Sequence, residues 1–359
     1  MRIAICWMEL SGYMAACWRA LAACDGVELL VLAQRAGGTT QTNPFAAELV
    51  AGLNCHVLDT DAARDAGAVA RRVTDFRPDL LIISGWAQPS YVALARRPEL
   101  ANTPILMAMD TPWRGTWRQH LGRHRLRPLV RRLAGAVVAG ERSRQLALHL
   151  GVPAGRVFTG VYGFDGPLFD PCHDRRLTSH PDWPRRFLYM GRYVEAKGLD
   201  VLLAAYQAYR GAVTNPWPLS CFGHGPLHDS LRGADGVEVN GFVQPPDQPP
   251  VLAAHGAFIL PSRYEPWGVA VAEAMAAGLP VICTDAVGAS VELLRPLHNG
   301  LTVPPDDPPA LARALRWVHD HADRLPAMGL AARATAAAYR AEVWAARVLR
   351  VAAEVTAPP

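Results

Sequence analysis

The chain is 359 residues long, half of them apolar, with a formal net charge of +4. That length points to two domains and that composition to a globular, core-forming protein, while so small a charge excess argues nothing for a nucleic-acid partner. The seven cysteines are scattered, odd in number and without a C-x-x-C pair, so they read as reduced core thiols rather than as a disulfide or metal framework.

The opening run MRIAICW breaks at Glu9, too short for a signal-peptide core, and no later run approaches the length of a membrane span. The expectation is a cytoplasmic protein, attached to a membrane at most from its surface. Short apolar runs then alternate with helical patterns, the signature of an α/β protein with a parallel sheet. RIAICW reads as a strand, residues 11–24 as a helix with Trp18, Leu21 and Ala22 at helical spacing, and ELLVLA as a second strand. A Gly-, Thr- and Asn-rich loop over residues 36–44 leads to CHVLD, and an Ala/Arg-rich helix is expected from Ala62 to Phe76. DLLIISGW, PILMAMD, GAVVAG and RVFTGV complete the strands of the first half, with a helix from about Arg142 that stops at Gly151.

Residues 165–186 are rich in Pro, His and charge and show no helical period, so the interdomain linker is placed at 166–185. A second alternating series follows, with RRFLYMG, PLSCFG, GVEVNG, AFILPS, PVICTD and GLTVPP as six strands. The tail from Ala331 to Val355 reads as one long helix with Tyr339, Val343, Trp344, Val348 and Leu349 as its bulky residues. The domains expected are therefore residues 1–165, residues 186–330, and a closing helix over 331–359 that crosses back to the first.

Ligands of open α/β sheets bind at the carboxyl ends of the strands, so the loops there carry the chemistry. After RRFLYMG, Leu199, Leu202, Leu203 and Tyr206 fall at i, i+3, i+4 and i+7, which starts a helix near Gly198. Arg192 and Lys197 precede it, and two cations beside a helix N-terminus suit a diphosphate as well as they suit solvent. The turn GHGP puts Gly223 and Gly225 where a ligand can approach the backbone; His224 and His228 share a helical spacing but have no third ligand for a metal. Residues 241–243, with Phe242 and Val243, offer backbone groups suited to a nucleobase edge. Pro266 and Gly268 suit a loop feeding a helix, which sets Glu265 before that helix and Glu273 on its second turn, on the order of 10 Å apart. Two carboxylates so separated cannot share a proton and are better placed to grip different hydroxyl groups of one extended ligand. Taken alone, they also read as a cap and an ordinary surface glutamate.

The combination GRYVEAKG, GHGP, VNGFV, PSRYEPWGVAVAEAMAAGLPVICTDAVGA and NGLTVPPDDP, in that order, closely resembles the donor-binding domain of the retaining family 4 glycosyltransferases. The resemblance covers nearly all of residues 186–316. It implies a GT-B fold, two Rossmann-like domains facing a central cleft, the first binding an acceptor and the second a nucleotide-diphosphate sugar. By this resemblance Arg192 and Lys197 hold the diphosphate and stabilise the leaving group, Glu265 binds hydroxyls of the donor sugar, and Glu273 binds those of the ribose. Gly191, Gly223, Gly225, Phe242 and Val243 are further donor contacts, as are Pro266, Trp267, Gly268 and Val269, with the Gly268 and Val269 amides facing sugar or phosphate. No metal and no other cofactor are expected.

The first half matches less well. Val161–Asp165 has Tyr162 where the family's turn usually has Asn, and Gly12 alone stands for a glycine pair in the first loop. Where many members carry a His, this chain has Met109, Asp110 and Thr111, which makes Asp110 the acceptor-side polar candidate; its other reading is a cap before Pro112. Between Arg114 and Arg132 lie seven arginines, Trp117 and no acid: a solvated basic face, or a surface for an anionic membrane or a phosphate-bearing acceptor. The implied function is sugar transfer in glycan biosynthesis, with a saccharide or lipid-linked saccharide as acceptor. The alternatives are a nucleotide-sugar-binding protein without transfer, and a sugar-nucleotide epimerase or glycan phosphorylase of the same fold.

Overall fold

The computed structural model describes residues 1–35, 45–179 and 182–357, so the loop expected over residues 36–44 lies outside the described residues. The chain forms two compact units, residues 1–164 with 339–359, and residues 165–338.

The first unit runs β1 (Arg2–Trp7), α1 (Gly12–Ala22), β2 (Glu28–Gln34), β3 (Cys55–Leu58), α2 (Thr60–Arg64), α3 (Ala66–Phe76), β4 (Leu80–Ser84) and α4 (Pro89–Leu94). It continues through β5 (Ile105–Met109), α5 (Trp117–Val130), β6 (Gly135–Val138), α6 (Glu141–Leu150) and β7 (Val157–Thr159). Its strands pair in parallel in the order β3-β2-β1-β4-β5-β6-β7. Strands such as β4 and β5 are buried on both faces, which is why they read as unbroken apolar runs rather than as alternating ones. The helix expected over Ala62–Phe76 is two helices, because the Asp65 carboxylate accepts from the amides of Gly67 and Ala68, both at 2.9 Å, and starts α3 afresh.

The second unit runs α7 (Gly166–Ser179), β8 (Phe187–Met190), α8 (Leu199–Ala212), β9 (Leu219–Phe222), α9 (His228–Leu231), β10 (Val237–Asn240) and α10 (Gln248–Ala253). Then come β11 (Ala257–Leu260), α11 (Val269–Ala276), β12 (Val281–Thr284), α12 (Ala289–Leu293), β13 (Gly300–Val303), α13 (Pro308–Asp320) and α14 (Leu325–Ala336). Its six parallel strands lie in the order β10-β9-β8-β11-β12-β13. In both sheets the strand order reverses beside the first strand, between β1 and β4 and between β8 and β11, and ligand crevices open at such reversals.

The linker expected over residues 166–185 is mostly helix. α7 buries Phe169, Cys172, His173 and Arg176, and these four do fall at i, i+3, i+4 and i+7. Arg176 is fully buried and donates to the carbonyls of Leu252 (2.7 Å) and His255 (2.9 Å) at the end of α10, and of Ala277 (3.0 Å) and Gly278 (3.1 Å) just beyond α11. One guanidinium thus satisfies the orphan carbonyls of two helix C-termini, with the Trp183 ring 5.0 Å from its carbon. Burial pulls its pKa down to about 10.

The single tail helix expected from Ala331 is also divided. α14 ends at Ala336, and after Tyr339 the chain belongs to the first unit as α15 (Ala341–Thr356), which packs on α1. The break is held by Phe164, whose amide donates to the Tyr339 carbonyl (2.9 Å) and whose carbonyl accepts from Ala341 (2.8 Å). Trp344, on α15, donates its indole N–H to the Val161 carbonyl at 3.0 Å.

Candidate functional site

At the reversal of the second sheet, the loop after β8 and the loop after β11 are joined by side chains and by backbone. The amides of Arg263 and Tyr264 donate to the Ala196 carbonyl at 2.9 and 3.2 Å. The Arg263 guanidinium reaches the Asp200 carboxylate at 2.6 and 2.7 Å, the Asp306 carboxylate at 2.5 Å and the Glu195 carbonyl at 3.1 Å. Asp200, then Asp306, hold Arg263 firmly protonated, and Arg263 in turn lowers the pKa of Asp200. Gly198 closes the first loop in the left-handed conformation at φ 64°, with a Cβ there only 2.3 Å from the Pro261 carbonyl oxygen.

This clamp sets Lys197 against Glu265. Their side chains form an ion pair, Lys197 Nζ to Glu265 Oε2, and are 12% and 15% exposed. Arg192, by contrast, lies exposed. Of the two cations expected to hold the diphosphate, Lys197 is thus partnered by a carboxylate 68 residues away, and Arg192 is the outer charge. Tyr189, beneath the loop, donates its hydroxyl to the Arg192 carbonyl at 2.8 Å and fixes the backbone there.

Gly191, Gly223 and Gly225 come together. The Gly191 amide donates to Phe222 (2.9 Å) and that of Tyr193 to His224 (2.7 Å). A Cβ on Gly223 would lie 1.9 Å from the Gly191 carbonyl oxygen, and one on Gly225 2.4 Å from that of Tyr193. These glycines let two loops of the protein meet. Phe242 packs edge-on to the His224 ring at 5.8 Å, and Val243 beside it is half-buried. His228 lies against Tyr193, not beside His224 as one of a metal pair, and no group of three or more His, Cys, Asp or Glu among the described residues could hold a metal ion.

Gly268 precedes α11 at φ 99°, and Gly288 approaches so closely that its Cβ would sit 2.1 Å from the Pro266 carbonyl oxygen. The loop 265–268 is laced to residues 287–289 by Gly288 donating to Glu265 (3.0 Å) and Ala289 to Trp267 (2.7 Å). Trp267 is buried and anchors the loop, while Pro266 and Val269 are half-exposed at its rim. Glu273 follows on the second turn of α11. Burial first, then the Asp165 carboxylate, pushes its pKa up to about 7.

In the first unit, Gly12 is buried as the first residue of α1, and Asp110 lies just past β5, half-exposed. Asp110 does not cap the turn alone: its Oδ2 accepts from the Tyr162 hydroxyl at 2.8 Å. Two of the positions at which the sequence departs from the family it resembles, Asp110 and Tyr162, are thus joined by one hydrogen bond. The arginine-rich segment forms α5, with Trp117 and Leu121 66% and 57% exposed one turn apart. Six of its seven arginines are exposed; Arg132 instead donates to the Leu100 and Thr103 carbonyls. His120 bridges to His149 of α6 at 3.2 Å, and His124 is exposed. Sequence reasoning missed Arg263, whose only signal was its place just before Glu265, and missed Tyr13 and Trp7, which pack around Tyr162.

Residues 184–321 match the family model described as Glycosyl transferases group 1. D-rhamnosyltransferase WbpZ of Pseudomonas aeruginosa is 32% identical over 186 residues, 48% of this chain and 46% of that protein. O-antigen chain mannosyltransferase B of Escherichia coli is 32% identical over 138 residues, 36% of this chain and 35% of its own. The chain thus spans under half the length of these curated relatives. Among solved structures, a glycosyltransferase from Rickettsia africae superposes with a TM-score of 0.75 at 15% identity, covering 99% of this chain and 98% of that one. Anabaena HepE in complex with UDP gives 0.74 at 18%, covering 98% and 99%. Two Rossmann-like units, the sheet orders and these superpositions make the fold GT-B, with the match to the glycosyl transferases group 1 model confined to residues 184–321.

Proposed function

We propose that the chain is a retaining glycosyltransferase that moves a sugar from a nucleotide-diphosphate donor to a hydroxyl of a saccharide or lipid-linked saccharide in glycan biosynthesis. The observation that carries this reading is the Lys197–Glu265 pair at the strand reversal of a group 1 domain: a cation for phosphate and a carboxylate for hydroxyl groups, prealigned before any donor arrives. The domain's relatives include a rhamnosyl- and a mannosyltransferase, and a neighbour of the same fold was solved with UDP-glucose.

In this reading the donor enters between the two side chains. Lys197 turns to the diphosphate with Arg192, and Glu265 accepts hydrogen bonds from the sugar. As the glycosidic bond breaks, charge grows on the leaving phosphate, and the two cations stabilise it most at that stage. A departing phosphate on the same face as the acceptor takes the acceptor's proton, which retains the anomeric configuration. Glu273 holds the ribose, and backbone around Gly191, Gly223, Gly225, Phe242 and Val243 frames the nucleotide, with Pro266, Trp267, Gly268 and Val269 along the sugar. Gly12 and Asp110 serve the first unit's share of the site. The cations do the work of charge neutralisation in this scheme, so chelators leave the rate unchanged. The exposed Trp117, Leu121 and arginines of α5 suit peripheral contact with an anionic membrane from the cytoplasmic side. No helix among the described residues is long and apolar enough to cross one.

The test is a thermal-shift screen of UDP, GDP and ADP, followed by turnover of the matching nucleotide sugars. Glu265→Gln should cut transfer at least ~100-fold, the scale of losing one charged transition-state or substrate contact. It should leave nucleoside diphosphate affinity equal or improved, because Lys197 is then released from its partner. Tight donor binding with no turnover over a broad acceptor panel would leave a binding protein instead, and equal loss of binding and transfer in the variant would contradict the roles assigned.

A further inference from the structure

Lys197 is the only lysine among the chain's 36 lysines and arginines. A lysine offers a compact charge on a flexible four-carbon stem, whereas an arginine offers a rigid planar fork. A charge that must leave Glu265 for an incoming phosphate suits the first, and a flexible stem places the demand for precision on the backbone that carries it. That backbone is held from outside. Lys197 sits in a tight turn, its amide donating to the Val194 carbonyl (2.9 Å) and that of Gly198 to Glu195 (3.0 Å). The two residues before it are bonded to the segment after β11: the Ala196 carbonyl accepts from the amides of Arg263 and Tyr264, and the Glu195 carbonyl from the Arg263 guanidinium at 3.1 Å. On its other side Gly198 lies against Pro261 with no space for a side chain.

Arg263 directs its remaining donors to two further elements. Nη1 and Nη2 grip both oxygens of Asp200, in the first turn of α8, at 2.7 and 2.6 Å, and Nε reaches Asp306, after β13, at 2.5 Å. Asp306 takes the left-handed region at φ 55°, uncommon outside glycine, and its neighbour Asp307 caps α13 through the Ala310 amide at 2.8 Å. From this geometry we infer that Arg263 is the positioning residue of the transfer step, registering the loops after β8, β11 and β13 so that Lys197 and Glu265 face each other; the inference rests on the transferase reading above. Glu265 is two residues on from Arg263, with its own carbonyl held by the Gly288 amide at 3.0 Å. One guanidinium therefore fixes the anchor points of both members of the pair. A lysine in its place would present one charge centre to three acceptors in three directions, and a glutamine no charge at all. The Asp200 and Asp306 side chains are 66% and 60% exposed, so these ion pairs contribute little to stability. Their effect is on alignment, and charge preorganised for a transition state loses rate steeply when displaced by about 1 Å.

The sole lysine makes the test direct, because protein grown on 15N-lysine gives a single lysine amide cross-peak in NMR. Arg263→Gln should move that peak and lower kcat for nucleotide-sugar turnover ~10–100-fold, with nucleoside diphosphate affinity within about 3-fold of wild type, because Lys197 still reaches phosphate on its flexible stem. Arg263→Lys keeps the charge and loses the fork, so its rate should stay within about 3-fold of that of Arg263→Gln. Asp306→Asn retains a residue at home in the left-handed region and carries the test should the Arg263 variants unfold; it should move the Lys197 peak and lower kcat roughly 3–10-fold. An unmoved Lys197 peak in Arg263→Gln, or unchanged kcat in both Arg263→Gln and Asp306→Asn, overturns the inference. Full recovery of rate in Arg263→Lys overturns it as well, since charge alone would then suffice. So does a loss of nucleoside diphosphate affinity equal to the loss in kcat, which would make Arg263 part of the binding surface. Failure of the transferase reading shows differently: wild-type protein would bind no nucleoside diphosphate and turn over no nucleotide sugar while the Lys197 peak still moved in the variants, which would keep the clamp and overturn its part in transfer.

Discussion

Glu273 gives the sharpest test of the donor side, because its environment makes two measurements move together. Burial and the Asp165 carboxylate raise its pKa from 4.5 to about 7. A carboxyl with a raised folded-state pKa costs no stability while it is protonated in both states, below about pH 4.5. As pH rises toward 7, the unfolded chain ionises freely and the folded one does not, so stability falls across that window and levels off above it. At ~1.4 kcal/mol per pH unit the full cost is on the order of 3 kcal/mol. Glu273→Gln removes it, so urea unfolding should find the variant more stable than wild type by about that amount at pH 8, by roughly 1 kcal/mol near pH 5.5, and equal at pH 4.5. Ribose hydroxyls donate to the ionised form. Nucleoside diphosphate binding should therefore pull the pKa down, release a proton near pH 7 and tighten as pH rises from 6 to 8. Calorimetry in buffers of different ionisation enthalpy reads that proton, and Glu273→Gln should abolish it. A stability difference that stays constant from pH 4.5 to pH 8 would refute the buried-acid argument, and proton release that survives the substitution would refute the ribose assignment.

Three further outcomes follow from the packing of the two units. Gly198→Ala places a Cβ 2.3 Å from a backbone oxygen at φ 64°, and should lower the stability of the second unit by ~2–4 kcal/mol while weakening nucleoside diphosphate binding through Lys197. Arg176→Met leaves the carbonyls at the ends of α10 and α11 without their donor and should cost ~3–5 kcal/mol in urea unfolding; a neutral result would mean water replaces the guanidinium readily. Replacing Trp117 and Leu121 together by Glu should abolish sedimentation with phosphatidylglycerol vesicles at low salt, with the thermal midpoint unchanged, and equal sedimentation of both forms would reduce α5 to a solvated face.

The central strands of both sheets were legible because they are buried on two faces, so LLIIS or VICT shows as an unbroken apolar run. α7 was not, although Phe169, Cys172, His173 and Arg176 keep helical spacing: two of its four inward positions carry polar side chains, and only carbonyls 76 to 102 residues on make Arg176 fit for a core. The same distance in sequence hid the Lys197–Glu265 and Asp110–Tyr162 contacts, 68 and 52 residues apart. Residue types gave the chemistry of the donor loops, but not who pairs with whom. Gly223 and Gly225 show the limit from the other side, since a glycine that admits a neighbouring loop and one that admits a ligand look alike in sequence.

The division of the tail has a consequence for how the molecule is made. The first unit needs α15, which lies on α1 and ties Trp344 to Val161, yet α15 leaves the ribosome only after the whole of the second unit. Domains ordinarily fold in the order of their synthesis. Here the earlier unit must wait, with the face of α1 that α15 covers uncovered, while the later one, whose residues 165–338 are continuous, closes first. The nascent chain therefore carries an unfinished amino-terminal half until α15 has emerged, and chaperone capture before residue 339 emerges falls on that half.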